Sequence, residues 1–271
     1  MTKVAATFLI LVTILIWCFY GDLNMDVAKY FTEGGADTLE KAGQWGDSFG
    51  AFTALMSALG TIGVVWTLLL QQRSIRDQAA DLHRQRFEST FFQLLSLLKE
   101  AKAQIRFTHS DAYLKGKYPK MSAAAIATFK KSSYDITALI QARAEVQWWI
   151  EEERDLGPML PSTLGEIFVS KVFKRFSGRL SSYYRIIYSI LKKIDNDKIL
   201  TDPEKIEYSK LVRAQLTNDE TQLLAINGLS PISGDLHGLI SKYRMLKYIN
   251  NTFTRVVFAG AYADFVFEAR D

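Results

Sequence analysis

The sequence predicts a mainly α-helical membrane protein. The parts expected are a two-helix transmembrane hairpin, a helical stalk and an all-α, or nearly all-α, cytoplasmic domain. Three observations predict this. Phe49 to Leu70 holds no charged side chain over 22 residues. Val4 to Tyr20 is a second uncharged run, of 17 residues. From Phe87 onward, apolar residues recur at helical spacing with no alternating strand series. The divisions expected are 1–70 for the hairpin, 71–86 for the stalk and 87–271 for the domain. Within the hairpin the spans fall at about 4–20 and 49–70, with an outer loop at 21–48.

The first run is at the short end for a span. Lys3 precedes it, Trp17 and Tyr20 close it, and Asp22 comes next. A cleaved signal peptide is the competing reading, but the apolar run is long for one and no small-x-small site is present in FYGDLNMD. Cys18, the one cysteine, excludes an internal disulfide and reads as a small buried hydrophobe. The second run, at about 1.5 Å per residue, is roughly 33 Å of helix against a hydrocarbon core of about 30 Å. Trp45 and Trp66 stand near its ends, where amphipathic rings favour the interface. The competing reading is a buried core helix, which rarely runs this long without a charge. Lys3 lies before the first span, and Arg73, Arg76, Arg84 and Arg86 lie after the second, while the loop between is acidic. The positive-inside rule then puts both termini in the cytoplasm.

The second run is also rich in small residues. Gly50, Ala54 and Ala58 are four apart, as are Ser57 and Thr61. Such a face permits close helix approach in lipid, either between the two spans of one chain or between copies.

Gln71 to Arg86 is almost wholly polar and reads as a solvated helix. Phe87, Phe91, Leu94, Leu95 and Leu98 then make an amphipathic face. One helix is expected over Ser122 to Glu153, broken afterwards by Pro158 and Pro161. Leu180, Tyr183, Tyr184, Ile187, Leu191 and Ile194 form the next face. Thr201-Asp202-Pro203-Glu204 is a helix start with Asp as the cap, and Thr217 to Glu220 has capping-box form. Asn227-Gly228 reads as a C-terminal stop. Leu236, Leu239, Ile240, Tyr243, Leu246 and Ile249 make a further face. The tail from Thr252 to Phe267 reads as a core helix, with Val256 to Phe258 open to a strand reading.

Charge is unevenly placed. Residues 1–72 carry three of the 33 basic and six of the 29 acidic residues, leaving 30 against 23, or about +7, for the rest. That surface could meet anionic lipid or nucleic acid, but no dense basic run appears, and ordinary surface charge is the preferred reading. The sequence holds no HExxH, paired cysteines, P-loop or GxSxG. No catalytic residue, cofactor or metal is therefore expected, and the protein reads as a non-enzyme. Arg213, Gln215, Asn218 and Glu220 form the most site-like polar cluster, with helix capping and ion pairing as its plain explanation. Together with Arg185 they are the candidate domain or partner contacts.

Three segments in order resemble the AbiC-like phage abortive infection proteins. They are GQWGDSFGAFTALMSALGTIGVVWTLLLQQ, RFESTFFQLLSLLKE, and the pair SSYYRIIYSILKKID and YSKLVRAQLTNDETQLLAINGLS. The resemblance implies a bacterial inner-membrane defence effector with two spans, a stalk and a helical domain. It implies that phage spread is stopped at the cost of the host cell; the small face of the second run and its direct helical link to the domain point to membrane perturbation as the means, with lipid and further copies of the chain as partners. It also implies, as an alternative partner, a retron's reverse transcriptase–RNA/DNA complex or another neighbouring defence protein, with the chain then acting as anchor or regulator. Relatives are expected to carry histidines near FSGRLSSYYRIIYSI; here Arg185 is followed by Ile186, Ile187, Tyr188 and Ser189. That departure weakens the remaining alternative, a HEPN-like ribonuclease built on Arg185 and Arg213, because such cleavage draws on an acid–base group.

Overall fold

The computed structural model describes Val12 and residues 37–131, 133–154, 160–249 and 256–267. Apart from Val12, which is helical, the first expected span and residues 21–36 of the loop lie outside the described residues. Among the described residues one helix is long and apolar enough to cross a membrane. The chain divides into two compact units, Met1–Gln78 and Ala79–Asp271.

Helix α1, Asp37–Ala103, crosses that division. In the first unit it carries residues 53–70, every one of them exposed. Its most apolar window reaches a mean hydropathy of 1.8 with none of it buried. Gly50, Ala54, Ser57, Ala58 and Thr61 are all exposed, and the Thr61 hydroxyl donates to Ser57 O at 2.8 Å within the helix. Residues 71–78 are exposed too.

The second unit opens inside the expected stalk. His83 Nε2 lies 2.8 Å from Asp197 Oδ2, and Arg84 Nε donates to Glu204 Oε1 at 3.1 Å. The end of the stalk segment thus pairs with the domain, where a fully solvated helix was expected. Phe87, Phe91 and Leu98 are buried in the core, with Leu94 and Leu95 packed at its edge.

After α1 comes a two-residue strand β1, Arg106–Phe107, then α2, Asp111–Lys117, and α3, Ala123–Phe129. Strand β2, Ser133–Tyr134, pairs antiparallel with β1 and leads into α4, Asp135–Arg154. The single helix expected over Ser122 to Glu153 is therefore two. The break has a backbone cause: Asp135 sits at φ +57, and its N–H donates to Ile105 O at 3.2 Å rather than back along a helix. The resulting ladder is the one departure from an all-α domain among the described residues.

Pro161 opens α5, Pro161–Ile167, as the first-turn preference for proline predicts. A π-turn, Phe168–Val172, and a 3-10 turn, Phe173–Arg175, lead to α6, Ser177–Asn196. Helix α6 buries Leu180, Tyr183, Tyr184, Ile187, Leu191 and Ile194, the expected face, and Ile190 beside it. Helices α7, Asp202–Ala214, and α8, Asn218–Gly228, both start with complete capping boxes. In α7 the cap is Thr201, with Glu204 reaching back, and Asp202 is the first helical residue rather than the cap. Helix α9, Leu236–Lys242, ends before its expected face does; Tyr243, Met245, Leu246 and Ile249 stay buried in the turns after it. Val256–Phe258 is helical, so the strand reading is set aside.

Helix α8 is the centre of the domain. Every residue from Glu220 to Gly228 is buried, and α4, α5 and α9 pack on it. Gly228 closes the helix for a packing reason rather than as a left-handed cap. A Cβ there would stand 2.6 Å from Tyr262 Oη and 2.7 Å from Ile240 Cδ1. Gly165 plays the matching part on α5, where a Cβ would meet Leu229 O at 2.4 Å.

Candidate functional site

The N-terminus of α8 is where the domain concentrates buried polar chemistry. Glu220 stands at the third helical position because the Thr217 box places it there. Its Oε2 accepts from Thr217 N at 2.8 Å and from Lys102 Nζ at 2.9 Å. Its Oε1 accepts from Tyr183 Oη at 2.7 Å. Three donors, one of them cationic, offset the desolvation of a carboxylate that is 1% exposed. Burial, followed by the Glu220 charge, pushes the Tyr183 phenol well above its ordinary value, so it stays a donor. Lys102 comes from the last turn of α1, where a cation is favoured.

A cavity of about 270 Å³ opens beside this network. Leu95, Leu98, Lys99 and Lys102 of α1 line one side, and Asp135, Tyr183, Gln215 and Glu220 the others. Of the five residues singled out as contacts, the structure brings only Gln215 and Glu220 to it. Arg213 is buried; its Nη1 donates to Arg244 O at 2.9 Å and its guanidinium lies 5.2 Å from the Tyr248 ring centre. Asn218 is the exposed first residue of α8. Arg185 is exposed on α6 and its Nε donates to Ser181 O at 3.3 Å in its own helix. These hydrogen bonds run from Arg185 and Arg213 to different partners.

A second buried cluster had no signal in the sequence, since the three pieces of chain that build it lie 30 or more residues apart. Glu145, fully buried on α4, accepts from His109 Nδ1 at 3.0 Å, Ser110 N at 3.1 Å and Arg175 Nη1 at 2.7 Å. Arg175 Nη2 also donates to Thr108 O at 2.6 Å. Burial pushes the Glu145 carboxyl up. The hydrogen bonds from His109 and Ser110 and the Arg175 charge outweigh that and hold it below its ordinary value. The His109 ring stacks on Tyr113 at 4.3 Å, and burial drives the Tyr113 phenol to about 12. This cluster clamps three pieces of chain together: the segment after β1, helix α4 and the turn before α6. A carboxylate–imidazole pair is also the arrangement that orients a general base, but here the imidazole is 6% exposed. The geometry fits a structural clamp.

Two further carboxylates tie α6 to its surroundings. Asp195 Oδ1 accepts from Lys242 Nζ at 2.5 Å and Tyr243 Oη at 2.8 Å. Asp197 Oδ1 accepts from the N–H groups of Ile199 and Leu200, both at 2.9 Å.

No curated protein and no solved structure matches the chain. Residues 175–253 match the family described as putative phage abortive infection protein. The matched stretch runs from Arg175 of the clamp through α6, α7, α8 and α9 and includes Tyr183, Gln215 and Glu220. That segment is what the chain shares with the family described as putative phage abortive infection protein, to which it is similar there.

Proposed function

We propose that the protein is a membrane-embedded effector of abortive infection that perturbs the bacterial inner membrane when activated and arrests or kills the infected cell. The observation that carries this reading is helix α1. Residues 53–70 of that helix are apolar or small, uncharged and exposed throughout, which suits lipid rather than a protein core. The same helix supplies Phe87, Phe91 and Leu98 to the core that the family-matched helices build. Infection is sensed in the domain, directly or through a partner such as a retron's reverse transcriptase–RNA/DNA complex or another neighbouring defence protein. The signal passes along α1, and copies associate through the small face of Gly50, Ala54, Ser57, Ala58 and Thr61. Both termini lie in the cytoplasm, and the chain acts as a toxin without catalysis.

A membrane-potential dye tests the reading. Depolarisation should accompany growth arrest on activation; arrest with an unchanged potential rules the mechanism out. Expression alone and then with genomic neighbours separates an autonomous effector from an anchor for another toxin. Ala54→Leu adds bulk without charge, so insertion should survive while helix contact weakens by about 1–3 kcal/mol, the scale of overpacking. Toxicity should fall at unchanged abundance in the membrane fraction, whereas the volume-conserving Ile62→Leu should leave it intact. Equal toxicity of the two variants would remove the small face from the mechanism.

A further inference from the structure

We propose that the cavity beside Glu220 binds a small zwitterion with an apolar body, of the α-amino-acid class. The argument starts from which groups are already satisfied. The Lys102 ammonium and the Glu220 carboxylate neutralise each other at 2.9 Å, and the Tyr183 hydroxyl is committed to Glu220. Two charges of the lining remain. Lys99, one turn before Lys102 on the same face of α1, is exposed and has no side-chain partner among the described residues. Asp135 is exposed likewise, its carboxylate without a partner among the described residues. One free cation and one free anion, with the exposed carboxamide of Gln215, match a ligand that carries both signs and no net charge.

The other features narrow the class. About 270 Å³ lies just under the roughly 300–1,000 Å³ of sites for drug-sized ligands, so the occupant is a small metabolite. Leu95 and Leu98 offer an aliphatic wall for its body. The Tyr183 ring is 1% exposed, so no aromatic face is open for a nucleobase to stack on. A phosphate carrying two negative charges would meet a single free ammonium and a free carboxylate. Asp135 is also held at φ +57, a region that costs a non-glycine residue free energy and that surrounding structure must maintain. The N–H of Asp135 bonded to Ile105 O at 3.2 Å helps maintain it and holds the backbone of Asp135 beside the cavity that it lines. A bound zwitterion bridges α1, the start of α4 and the junction of α7 with α8, so it biases how the end of α1 is held against the family-matched helices.

The test is calorimetric titration of the purified full-length protein in detergent with the standard amino acids, adenosine monophosphate and inorganic phosphate. Binding of at least one amino acid with an apolar side chain is expected. Lys99→Ala and Asp135→Asn should each weaken it about tenfold, equal to about 1.4 kcal/mol. Asn tolerates the left-handed conformation, and both positions are exposed, so the melting temperature without ligand should not move. Absence of binding by every amino acid overturns the proposal, as does tighter binding of either phosphate compound or unchanged affinity in both variants. Because the readout is binding and not toxicity, its failure leaves the membrane-effector reading standing.

Discussion

Residues 53–70 of α1 and residues 180–194 of α6 are both helical and both rich in leucine and isoleucine, yet they have opposite fates. Leu59 and Ile62 are 53% and 63% exposed, while Leu180 and Ile187 are 1% and 0% exposed. The difference lies in how apolar residues are arranged around the axis. In α6 they fall three and four apart and leave a polar face with Ser181, Ser182, Arg185 and Lys192. One face buries against protein and the other meets water. In residues 53–70 no polar face exists to meet water, and every residue is exposed among the described residues. The first pattern builds a core; under the proposed function the second meets lipid.

The comparison can be broken most forcefully at Phe91. Its ring is fully buried in the domain, so Phe91→Ala should cost about 3–5 kcal/mol by denaturant unfolding of the detergent-solubilised protein. Leu59→Ala on the same helix should leave the domain within about 0.5 kcal/mol of wild type. A similar loss from both would mean that residues 53–70 are covered by protein. Next in size is a charge placed in the apolar run. Ile62→Arg should oppose insertion by about 2.5–3.5 kcal/mol and shift protein out of the membrane fraction. Ile75→Arg, in the exposed polar stretch beyond, should fractionate as wild type; equal behaviour of the two would remove the span.

The smallest effect concerns charge inside the domain. Arg175→Ala leaves Glu145 buried with His109 and Ser110 alone, at a cost of about 1–3 kcal/mol for a partly exposed cation. The sign with pH comes from Glu145, whose carboxyl is held below its ordinary value. Its contribution is complete above the unfolded carboxyl value of about 4.3 and is lost as pH falls through the lower folded value. Arg175→Ala should therefore raise the pH of acid unfolding, as monitored by circular dichroism. An unchanged acid midpoint would show that the clamp adds nothing to the fold.

How far the sequence was legible depends on the range of the interaction. The helix start at Thr201–Glu204 and the box at Thr217–Glu220 were readable because a cap is settled within four residues, although at the first the cap is Thr201, in a box with Glu204, and not Asp202. The α6 face was readable because one period carries it. The helix expected from Ser122 to Glu153 failed at Asp135, where pairing of Ser133 with Phe107 overrides local helix preference. The cluster of Arg213, Gln215, Asn218 and Glu220 came apart for a related reason. Neighbours in sequence at a helix junction point in different directions, so Gln215 and Glu220 face the cavity while Arg213 turns to Arg244.

By itself the sequence determined the uncharged run that suits lipid, the helical character of the chain from Phe87 onward and the places where α6, α7 and α8 begin or bury a face. Each rests on composition or on contacts within one or two helical turns. Only the tertiary structure decided that α8, with Glu220, Thr221, Gln222 and Asn227 along it, is the buried centre of the domain. It alone joined Lys102 to Glu220 across 118 residues and His109 to Glu145 across 36. The physical reason is that a polar side chain is tolerated in a core only when its partner arrives from elsewhere in the chain, and one-dimensional spacing carries no record of that meeting.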